Sequence, residues 1–529
     1  MKILKRAFAL TLAFLMLTLC ACKQQPDSIG SEPTPNPEQN AQNTATFQLL
    51  YCSNDTLNPY NTINKVNAEL AQLIFDPLVT VSNEFEAINI LAESVNIDSK
   101  ICTVKLRSAK FSDGSAVTAD DVLNSLELAK KSPLYSYLFY NVSKASAADS
   151  LTVVFELKNN DPYFANMLTF PILKKGTENL KNEDNVEIVP TGSGRFIFSR
   201  EQAALSPNPH YYGDSPIDRI ALIDAPDSES VEHYVEIGAT DLYYTDPVNG
   251  NIIRMSGQKT SLNTANLVYI GINHSYSQLS DPLLRQTISS AVDRFEIAES
   301  AYYKNAEAAN GFFHPEWAAV SGYQTLQITA QTKICIENLE KIGYNSLDKD
   351  GFRCNSNGNP LALTLLVNRD NSARVAAAEL IKAQLAAVGI KLTVNAVSNE
   401  QYFEALKSGS FQLYLGEVKL TPNMDIGQVV LSGGSAAHGI ANPKENKPSD
   451  EDTDEETQTA ISSYTDVLKG YYAGENGISE VATSLINHMP IIPIAYRSSL
   501  LFYSNNIEDI DNASAFNIFL SINNFKIKS

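Results

Sequence analysis

The sequence has little of what marks a metalloprotein or a hydrolase. Its six histidines are scattered, no HExxH pair occurs, and the cysteine spacings match no zinc pattern. No GxSxG segment is present to carry a nucleophilic serine. The glycine-rich segment GSGRF at 192–196 lacks the Gly-Lys-Ser/Thr ending of a phosphate-binding loop. We therefore expect no metal site, no cofactor and no enzymatic activity.

The chain also lacks an excess of positive charge. It has 40 Lys and Arg against 60 Asp and Glu, for a formal net charge of −20 over 529 residues. A nucleic-acid-binding protein needs a basic stripe or patch, so nucleic acid is excluded as a partner. Beyond the N-terminus there is no uninterrupted apolar run of about 18 residues, the length that indicates a membrane-spanning helix. We therefore expect no spanning helix in the remainder of the chain.

Cysteine is sparse as well. Of six cysteines, four follow residue 46: Cys52, Cys102, Cys335 and Cys354. In an exported protein the oxidising environment would permit a disulfide, and Cys335 and Cys354 are the candidate pair. The alternative is that these cysteines act as small buried hydrophobic residues. The sequence leaves both interpretations open.

The N-terminus has the pattern of an export signal. Three basic residues among the first six precede an apolar run over residues 7–19, which is shorter than the roughly 20 apolar residues of a membrane span. A short positive region followed by a short apolar core is typical of a secretory signal. The run ends in Leu-Cys-Ala-Cys, which resembles the lipobox of bacterial lipoproteins. We predict a signal peptide over 1–21 and lipidation of Cys22; the alternative is an ordinary signal peptide with a chance cysteine.

Two further segments have compositions that do not pack into a core. Residues 22–46 contain almost no apolar side chain larger than alanine, which predicts a disordered tether between the lipid and a folded body. Residues 444–457 hold seven acids and two lysines. We interpret this acidic stretch as a solvated surface loop, and a docking site for a basic partner is the alternative.

The rest of the chain mixes strand and helix patterns. Residues 361–367 form an apolar run, residues 374–388 are alanine-rich and helical, and residues 390–397 alternate as a strand. This order predicts two parallel strands joined by a right-handed crossover. An Asp-Pro pair at 281–282 predicts the start of another helix. The pattern indicates an α/β protein, with enough chain for two or three domains.

Several segments, taken in order, resemble one bacterial family. The most specific is VKLRSAKFSDGSAVTADDVLNSLE at 104–127, with its Leu-Arg, Phe, Asp-Gly and Thr-Ala-Asp-Asp-Val. Further blocks fit at 74–94, 190–198, 208–220, 269–275 and 283–294. Together they resemble the peptide- and nickel-binding family of extracellular solute-binding proteins, family 5, over roughly residues 47–505.

The resemblance implies an α/β, two-lobed periplasmic-binding-protein-like fold with a hinged cleft and an extra subdomain in the first lobe. The first lobe, with its subdomain, would span 47–266, the second 267–494, and a C-terminal return to the first lobe 495–529. The expected function is capture of a peptide or other small solute for the permease of an ABC transporter. We expect a monomer, lipid-anchored at the extracytoplasmic face of the cell membrane. A surface sensor or adhesin that binds without transport is the alternative.

The loops after predicted strands hold the candidate ligand contacts, because ligands of open α/β sheets lie beyond the carboxyl ends of the strands. The candidates are Ser53, Asn54, Asp55 and Tyr60 after the first strand, Tyr269 and Asn273 near an expected crossing between the lobes, and Glu417 and Lys419 in a loop at 416–419. A peptide brings an amine and a carboxylate. Glu417 and Lys419 are the acid and the base expected to meet them.

The sequence departs from the family pattern after this last strand. Peptide-binding members often carry a Trp and an Asp-Tyr there, and the Asp holds the peptide amine. This chain has GEVKLTPNMD, which puts Thr421 at the position of that Asp, and its one tryptophan is Trp317. Asp425, four residues later, is therefore a further candidate for the amine contact.

Overall fold

A computed structural model of the chain describes residues 47–213, 217–248, 255–440 and 463–528. The predicted signal peptide, the lipidation site Cys22, the tether and the acidic stretch at 444–457 lie outside the described residues. Within the described ranges, no helix combines the length and the apolar character that crossing a bilayer would need.

The strands, in chain order, are β1 Phe47–Tyr51, β2 Val79–Val81, β3 Ala87–Asn89, β4 Ala92–Asp98, β5 Ile101–Leu106, β6 Val142–Asp149, β7 Thr152–Leu157, β8 Phe196–Ser199, β9 Ala204–Pro207, β10 Ile220–Asp224, β11 Leu242–Thr245, β12 Gln258–Ile272, β13 Ala306–Ala308, β14 Ser346–Leu347, β15 Arg353–Cys354, β16 Ala362–Asn368, β17 Lys391–Val397, β18 Leu413–Lys419, β19 Ile491–Tyr503, β20 Ile507–Glu508 and β21 Lys526–Ile527.

The α-helices, also in chain order, are α1 Lys65–Ile74, α2 Ala119–Ala129, α3 Ser228–Glu236, α4 Pro282–Ala291, α5 Arg294–Ser300, α6 Thr332–Lys341, α7 Ser372–Ala387, α8 Asn399–Ser408, α9 Gly427–Val430, α10 Tyr464–Ala473 and α11 Ile478–His488. The predicted helix start at the Asp-Pro pair is confirmed, since the Asp281 side chain accepts a hydrogen bond from Leu283 N and Pro282 occupies the first helical position.

The first half of the chain forms two four-stranded sheets. One has the order β1-β10-β9-β8, and the other, which we call the outer sheet, is an antiparallel sheet with the order β4-β5-β7-β6. Side chains from both sheets share one hydrophobic core, drawn from residues 47–262 and from residues 501–525 near the C-terminus. The end of the chain therefore returns to the core that its beginning builds.

The second half is organised around a larger sheet. Its order is β11-β19-β12-β18-β16-β17, with β13 paired to β19. β16 is parallel to both β17 and β18, and α7 connects β16 to β17 as predicted. A second hydrophobic core, drawn almost entirely from residues 265–496, covers this sheet. The α/β class predicted from the strand and helix patterns is confirmed.

Two long antiparallel strands, β12 and β19, run from one core to the other. Residues 258–263 of β12 pair with residues 498–503 of β19, and residues 266–271 pair with residues 491–497. The register shifts between these two halves, and there Thr264 Oγ1 donates to Arg497 O at 2.5 Å. A bulge of this kind bends a strand locally. The apolar pattern of the sequence predicts a strand over residues 267–273 and misses the polar half of β12, which does not alternate.

The glycine loop at 190–198 has a packing role. Gly194 N donates to Ile74 O at 2.9 Å, at the end of α1. A Cβ added at Gly192 would lie 2.0 Å from Ile74 O, so only glycine permits this approach. The loop therefore fixes α1 against the first core.

Candidate functional site

Four charged side chains meet where the two long strands bend. Glu417 of β18 lies between Arg374 of α7 and Arg497 of β19, with N–O distances of 3.0 Å from Arg374 Nη2 to Oε2 and 2.6 Å from Arg497 Nη2 to Oε1. Arg497 Nη1 also lies 2.6 Å from Asp246 Oδ1, just after β11. We call these four residues the crossing cluster. It links strands from both halves of the large sheet.

Glu417 is occupied within this cluster. Both of its oxygens meet a guanidinium, and its side chain is 9% exposed. Burial alone would lower the pKa of Arg497, but Glu417 and Asp246 raise it above its usual value, so the guanidinium stays charged. The sequence predicts a loop at 416–419 with Glu417 open to a ligand. The structure corrects this, because residues 413–419 form β18 and pair with β12.

Lys419 differs from Glu417, two residues earlier on the same strand. It is solvent-exposed and makes no ion pair with a described residue. Together with Tyr135, Tyr137 and Asn517 it lines a cavity of about 160 Å³. Desolvation by the surrounding protein lowers the pKa of Lys419 from its usual value. Because no described residue forms an ion pair with it, the Lys419 amino group is free to meet an anionic group in that cavity.

A second cavity, of about 190 Å³, lies beside the loop that follows β18, and we call it the interlobe cavity. From the outer sheet, the ends of β6 and β7 contribute Tyr140, Asn141, Asn159, Asn160 and Asp161. The facing wall includes residues 423–426 and side chains of α10 and α11. Met424 in that loop has φ of 58°, a backbone conformation that costs energy for a residue other than glycine and often occurs at binding sites.

Asp425 joins the two walls of the interlobe cavity. Its Oδ2 accepts a hydrogen bond from Tyr140 Oη at 2.6 Å, and its Oδ1 accepts one from Tyr472 Oη at 2.5 Å. Gly427 N donates to the same Oδ1 at 2.9 Å. Tyr140 belongs to the outer sheet side and Tyr472 to α10. Hydroxyl and amide donors thus stabilise the carboxylate without neutralising its charge.

A second carboxylate, Asp161, lies on the same cavity. Asn423 Nδ2 donates to Asp161 Oδ2 at 2.7 Å, and Tyr163 N donates to its Oδ1 at 3.1 Å. Burial raises the pKa of Asp161 to about 6. Among the lining residues that the structure describes there is no Lys, Arg or His. We call Asp161 and Asp425 the cavity acids; together they form an acidic pocket with no cation of its own.

The residues predicted after β1 make contacts within the protein. Ser53 Oγ donates to Asp224, and Asp55 Oδ2 accepts from Thr62 and from two backbone amides. These hydrogen bonds lower the pKa of Asp55, against the opposing effect of its desolvation. Tyr60 Oη donates to the backbone oxygen of Pro171, a residue that lines the same cavity as Lys419. Asn54 is exposed. Most of these polar side chains therefore stabilise the segment that follows β1.

Tyr269 and Asn273 also face protein groups. Both are expected as loop contacts near a crossing between the lobes, but Tyr269 is a buried residue of β12, and only Asn273 lies in the segment that directly follows the strand. Tyr269 Oη lies 3.1 Å from Tyr414 Oη, and Asn273 Nδ2 donates to the carbonyls of Gly409 and Phe411. Neither residue lines the interlobe cavity.

Comparison with known proteins decides the family. A model of the bacterial extracellular solute-binding proteins, family 5, middle part, matches residues 86–432. The chain belongs to this family. The resemblance seen in the sequence motifs is therefore confirmed, and the protein is an extracytoplasmic solute-binding protein.

Individual relatives of this family 5 protein are distant. The glutathione-binding protein GsiB of Escherichia coli (strain K12) is 24% identical over 363 residues, which cover 65% of this chain and 68% of GsiB. The unliganded open form of the periplasmic murein tripeptide-binding protein MppA has a TM-score of 0.70 at 17% identity, covering 91% of this chain and 98% of MppA. A nickel ABC transporter protein from Bacillus halodurans has a TM-score of 0.69 at 19% identity, covering 91% and 99%. These structures confirm the two-lobed fold.

The sequence patterns identified Asp425 as a candidate but did not identify the side chains that surround it. Asp161, Tyr140 and Tyr472 were not candidates, although Asp161 lies in the segment that follows β7. The rule that loops after strands hold binding residues would have selected Asp161. No local signal marks Tyr472, because it lies on a helix that reaches the cavity only in the folded protein.

The remaining candidates in the sequence concern cysteines and metals. Cys52, Cys102, Cys335 and Cys354 are unpaired and buried, which favours the small-hydrophobe interpretation over a Cys335–Cys354 disulfide. Burial raises the pKa of the Cys335 thiol to about 11. In the described ranges no group of three or more His, Cys, Asp or Glu side chains is arranged to hold a metal ion.

Proposed function

We propose that this protein captures a peptide, or a similar small solute with a free amine, between its lobes and delivers it to the permease of an ABC importer. Its membership of family 5 supports the binding role, and the names of its relatives refer to glutathione, a murein tripeptide and peptides. The relatives are named for binding and not for catalysis, which supports a protein without enzymatic activity.

The observation that carries the proposal is the position of Asp425 between a tyrosine of each wall. Tyr140 and Tyr472 both donate to its carboxylate, and the contact with Tyr140 crosses from one wall to the other, so its strength depends on the separation of the walls. A ligand shifts a two-lobed protein toward closure only by binding the closed form better than the open form. An amine bound at Asp425 meets both walls only when they are close together.

A peptide has an amine at one end and a carboxylate at the other, and two residues within 419–425 are suited to bind them. Asp425 is the proposed contact for the amine, and Lys419, six residues earlier, is the proposed contact for the carboxylate. Ser53, Asn54, Asp55, Tyr60, Tyr269 and Asn273 are proposed to support the walls, since most of their polar atoms already have protein partners. Glu417 is proposed to hold the crossing cluster together instead of binding the amine.

Calorimetry on Asp425→Asn tests the proposal, with the tripeptide Lys-Ala-Ala and its Nα-acetylated form as probes. Removing one member of a desolvated charge pair typically costs about 2–5 kcal/mol, or roughly 30-fold and more in affinity. We expect such a loss for the free amine and little change for the acetylated peptide. Asp350→Asn, at an exposed position in the second lobe, is the matched control.

Equal weakening of both peptides by Asp425→Asn would show that Asp425 does not hold the amine. Failure of wild-type protein to bind either peptide would overturn the peptide function itself.

We further propose that Cys22 carries the lipid that holds the protein at the extracytoplasmic face of the cell membrane, as a monomer. The Leu-Cys-Ala-Cys segment and the polar residues that follow it support this anchor. Two or more acyl chains are needed for stable attachment, because one chain binds a bilayer only reversibly. Expression of Cys22→Ala in a bacterial host with labelled palmitate should abolish labelling, whereas Cys20→Ala should keep it. Labelling lost only in Cys20→Ala would assign the anchor to Cys20.

A further inference from the structure

The interlobe cavity presents more hydrogen-bond acceptors than one ligand amine can satisfy. Asp425 and Asp161 contribute two carboxylates, and the described lining contributes no basic side chain. Asn423, only 5% exposed, uses its Nδ2 to bond Asp161, while its Oδ1 has no hydrogen-bond partner among the described residues. A buried acceptor without a donor is costly, and a buried negative charge without a cation is more so. The Asn423 Oδ1 is therefore suited to a hydrogen-bond donor, and the two carboxylates are suited to a cation.

These groups form one continuous set. Asn423 Nδ2 lies 2.7 Å from Asp161 Oδ2 and 3.4 Å from Tyr140 Oη, and Tyr140 Oη lies 2.6 Å from Asp425 Oδ2. The chain of contacts thus runs from one cavity acid to the other through an amide and a hydroxyl. A ligand that reaches Asp425 with its amine has the second acid within the same cavity.

The cavity also offers an apolar wall beside the acids. Phe313, Leu468, Ile478 and Val481 line it together with the ring of Tyr471. Long basic side chains pack their methylene stems against such surfaces while the charged head meets polar groups. A bare metal ion would make no use of this wall, and both acids already accept hydrogen bonds that a metal would have to displace.

We propose that the bound solute carries a second positive charge, the ammonium or guanidinium of a basic first side chain, held by Asp161 and Asn423 Oδ1. This rests on the proposed function, in which Asp425 holds the adjacent amine. The second charge balances the second cavity acid, and its N–H groups meet the unpaired amide oxygen. The protein is thereby selective for peptides that begin with lysine, ornithine or arginine over neutral ones of the same length.

Calorimetry with paired probes tests this selectivity. Lys-Ala-Ala is compared with norleucine-Ala-Ala, and lysinamide with norleucinamide, since norleucine keeps the stem of lysine without its charge. We expect the lysine member of each pair to bind at least about 10-fold more tightly to the wild-type protein. Asp161→Asn should remove that preference, so that Lys-Ala-Ala and norleucine-Ala-Ala bind the variant with affinities within about 3-fold of each other. Asp98→Asn, an exposed acid on β4, is the control.

Each outcome separates the two proposals. Equal affinities for lysine and norleucine in both pairs would overturn the basic-side-chain site, even if peptides bind. If Asp161→Asn still binds the lysine probes more tightly, the proposed site is also wrong, because another group would then bind the lysine ammonium. If lysinamide is preferred but no tripeptide binds, the cationic site stands and the peptide function falls.

Discussion

The crossing cluster and the cavity acids use the same side-chain chemistry with opposite results. In the crossing cluster two arginines face one glutamate and one aspartate, so the charges balance inside the protein. From the described residues the cavity acids receive hydroxyl and amide donors and no guanidinium or ammonium group. Both sets link elements from the two halves of the molecule. One set is complete in the protein alone, whereas the other leaves charges for a ligand to balance.

The proposed division into structural and binding carboxylates rests on this difference in partners and not on burial. Glu417 and Asp161 are both largely buried, with 9% of the Glu417 side chain and 6% of Asp161 exposed. Glu417 has two guanidinium partners, whereas burial raises the pKa of Asp161 to about 6 and the described lining of its cavity contains no cation to offset this. A buried acid held without a cation, next to a cavity, is a candidate for a functional site.

The largest effect on stability is expected from Glu417→Ala. The substitution leaves Arg374 and Arg497 facing each other in a buried site, and removing one partner of a buried pair typically costs about 3–5 kcal/mol. Differential scanning calorimetry should show a clear fall in melting temperature. Glu400→Ala, an exposed acid on α8, is the control and should change stability by less than about 0.5 kcal/mol. Similar melting temperatures for the two variants would show that the ion pairs of Glu417 in the crossing cluster do not stabilise the fold.

An effect of opposite sign is expected from Asp161→Asn in the ligand-free protein. The folded-state pKa of about 6 lies above the ordinary value of 3.8 for an aspartate, so folding is favoured while Asp161 is protonated, and that stability is lost as pH rises through about 6. The variant cannot ionise and should be more stable than wild type by about 1–3 kcal/mol at pH 7.5.

At pH 4 the stabilities of Asp161→Asn and wild type should nearly coincide. Urea denaturation at both pH values measures this difference. A variant that is less stable than wild type at pH 7.5 would show that the negative charge of Asp161 stabilises the fold, as the charge of Glu417 is expected to do.

The smallest effect on stability is expected from Lys419→Gln. This lysine is exposed and lacks an ion pair within the described part of the chain, so the change in unfolding free energy should stay within about 0.5 kcal/mol. Its affinity for Lys-Ala-Ala should fall several-fold to about 10-fold, with little change for the C-terminal amide. Calorimetry with both peptides measures this, and Lys407→Gln on α8 is the control. An unaltered affinity for the free carboxylate would exclude Lys419 as its contact.

Local patterns predicted many of the elements, and their failures have a common cause. Alternation and apolar runs located β16, α7 and β17 to within two residues. The same rules ended the strand before Glu417, because charged residues seldom continue a buried strand. In the folded chain two arginines, distant in the sequence, neutralise Glu417 and allow β18 to continue beside β12. The polar half of β12 was missed for a similar reason, since its partner β19 lies more than 200 residues away.

The sequence alone determined the family and the α/β class, because these depend on local periodicity and on motifs of neighbouring residues, and it named Asp425 as a candidate acid. It could not decide which acids are paired. Glu417 and Asp425 are eight positions apart and chemically alike, yet one is neutralised by Arg374 and Arg497 while the other receives two tyrosine hydroxyls. Those partners come from distant segments, and only the tertiary structure brings them within hydrogen-bond distance. The electrostatic environment that separates a structural carboxylate from a binding one is therefore a property of the folded chain.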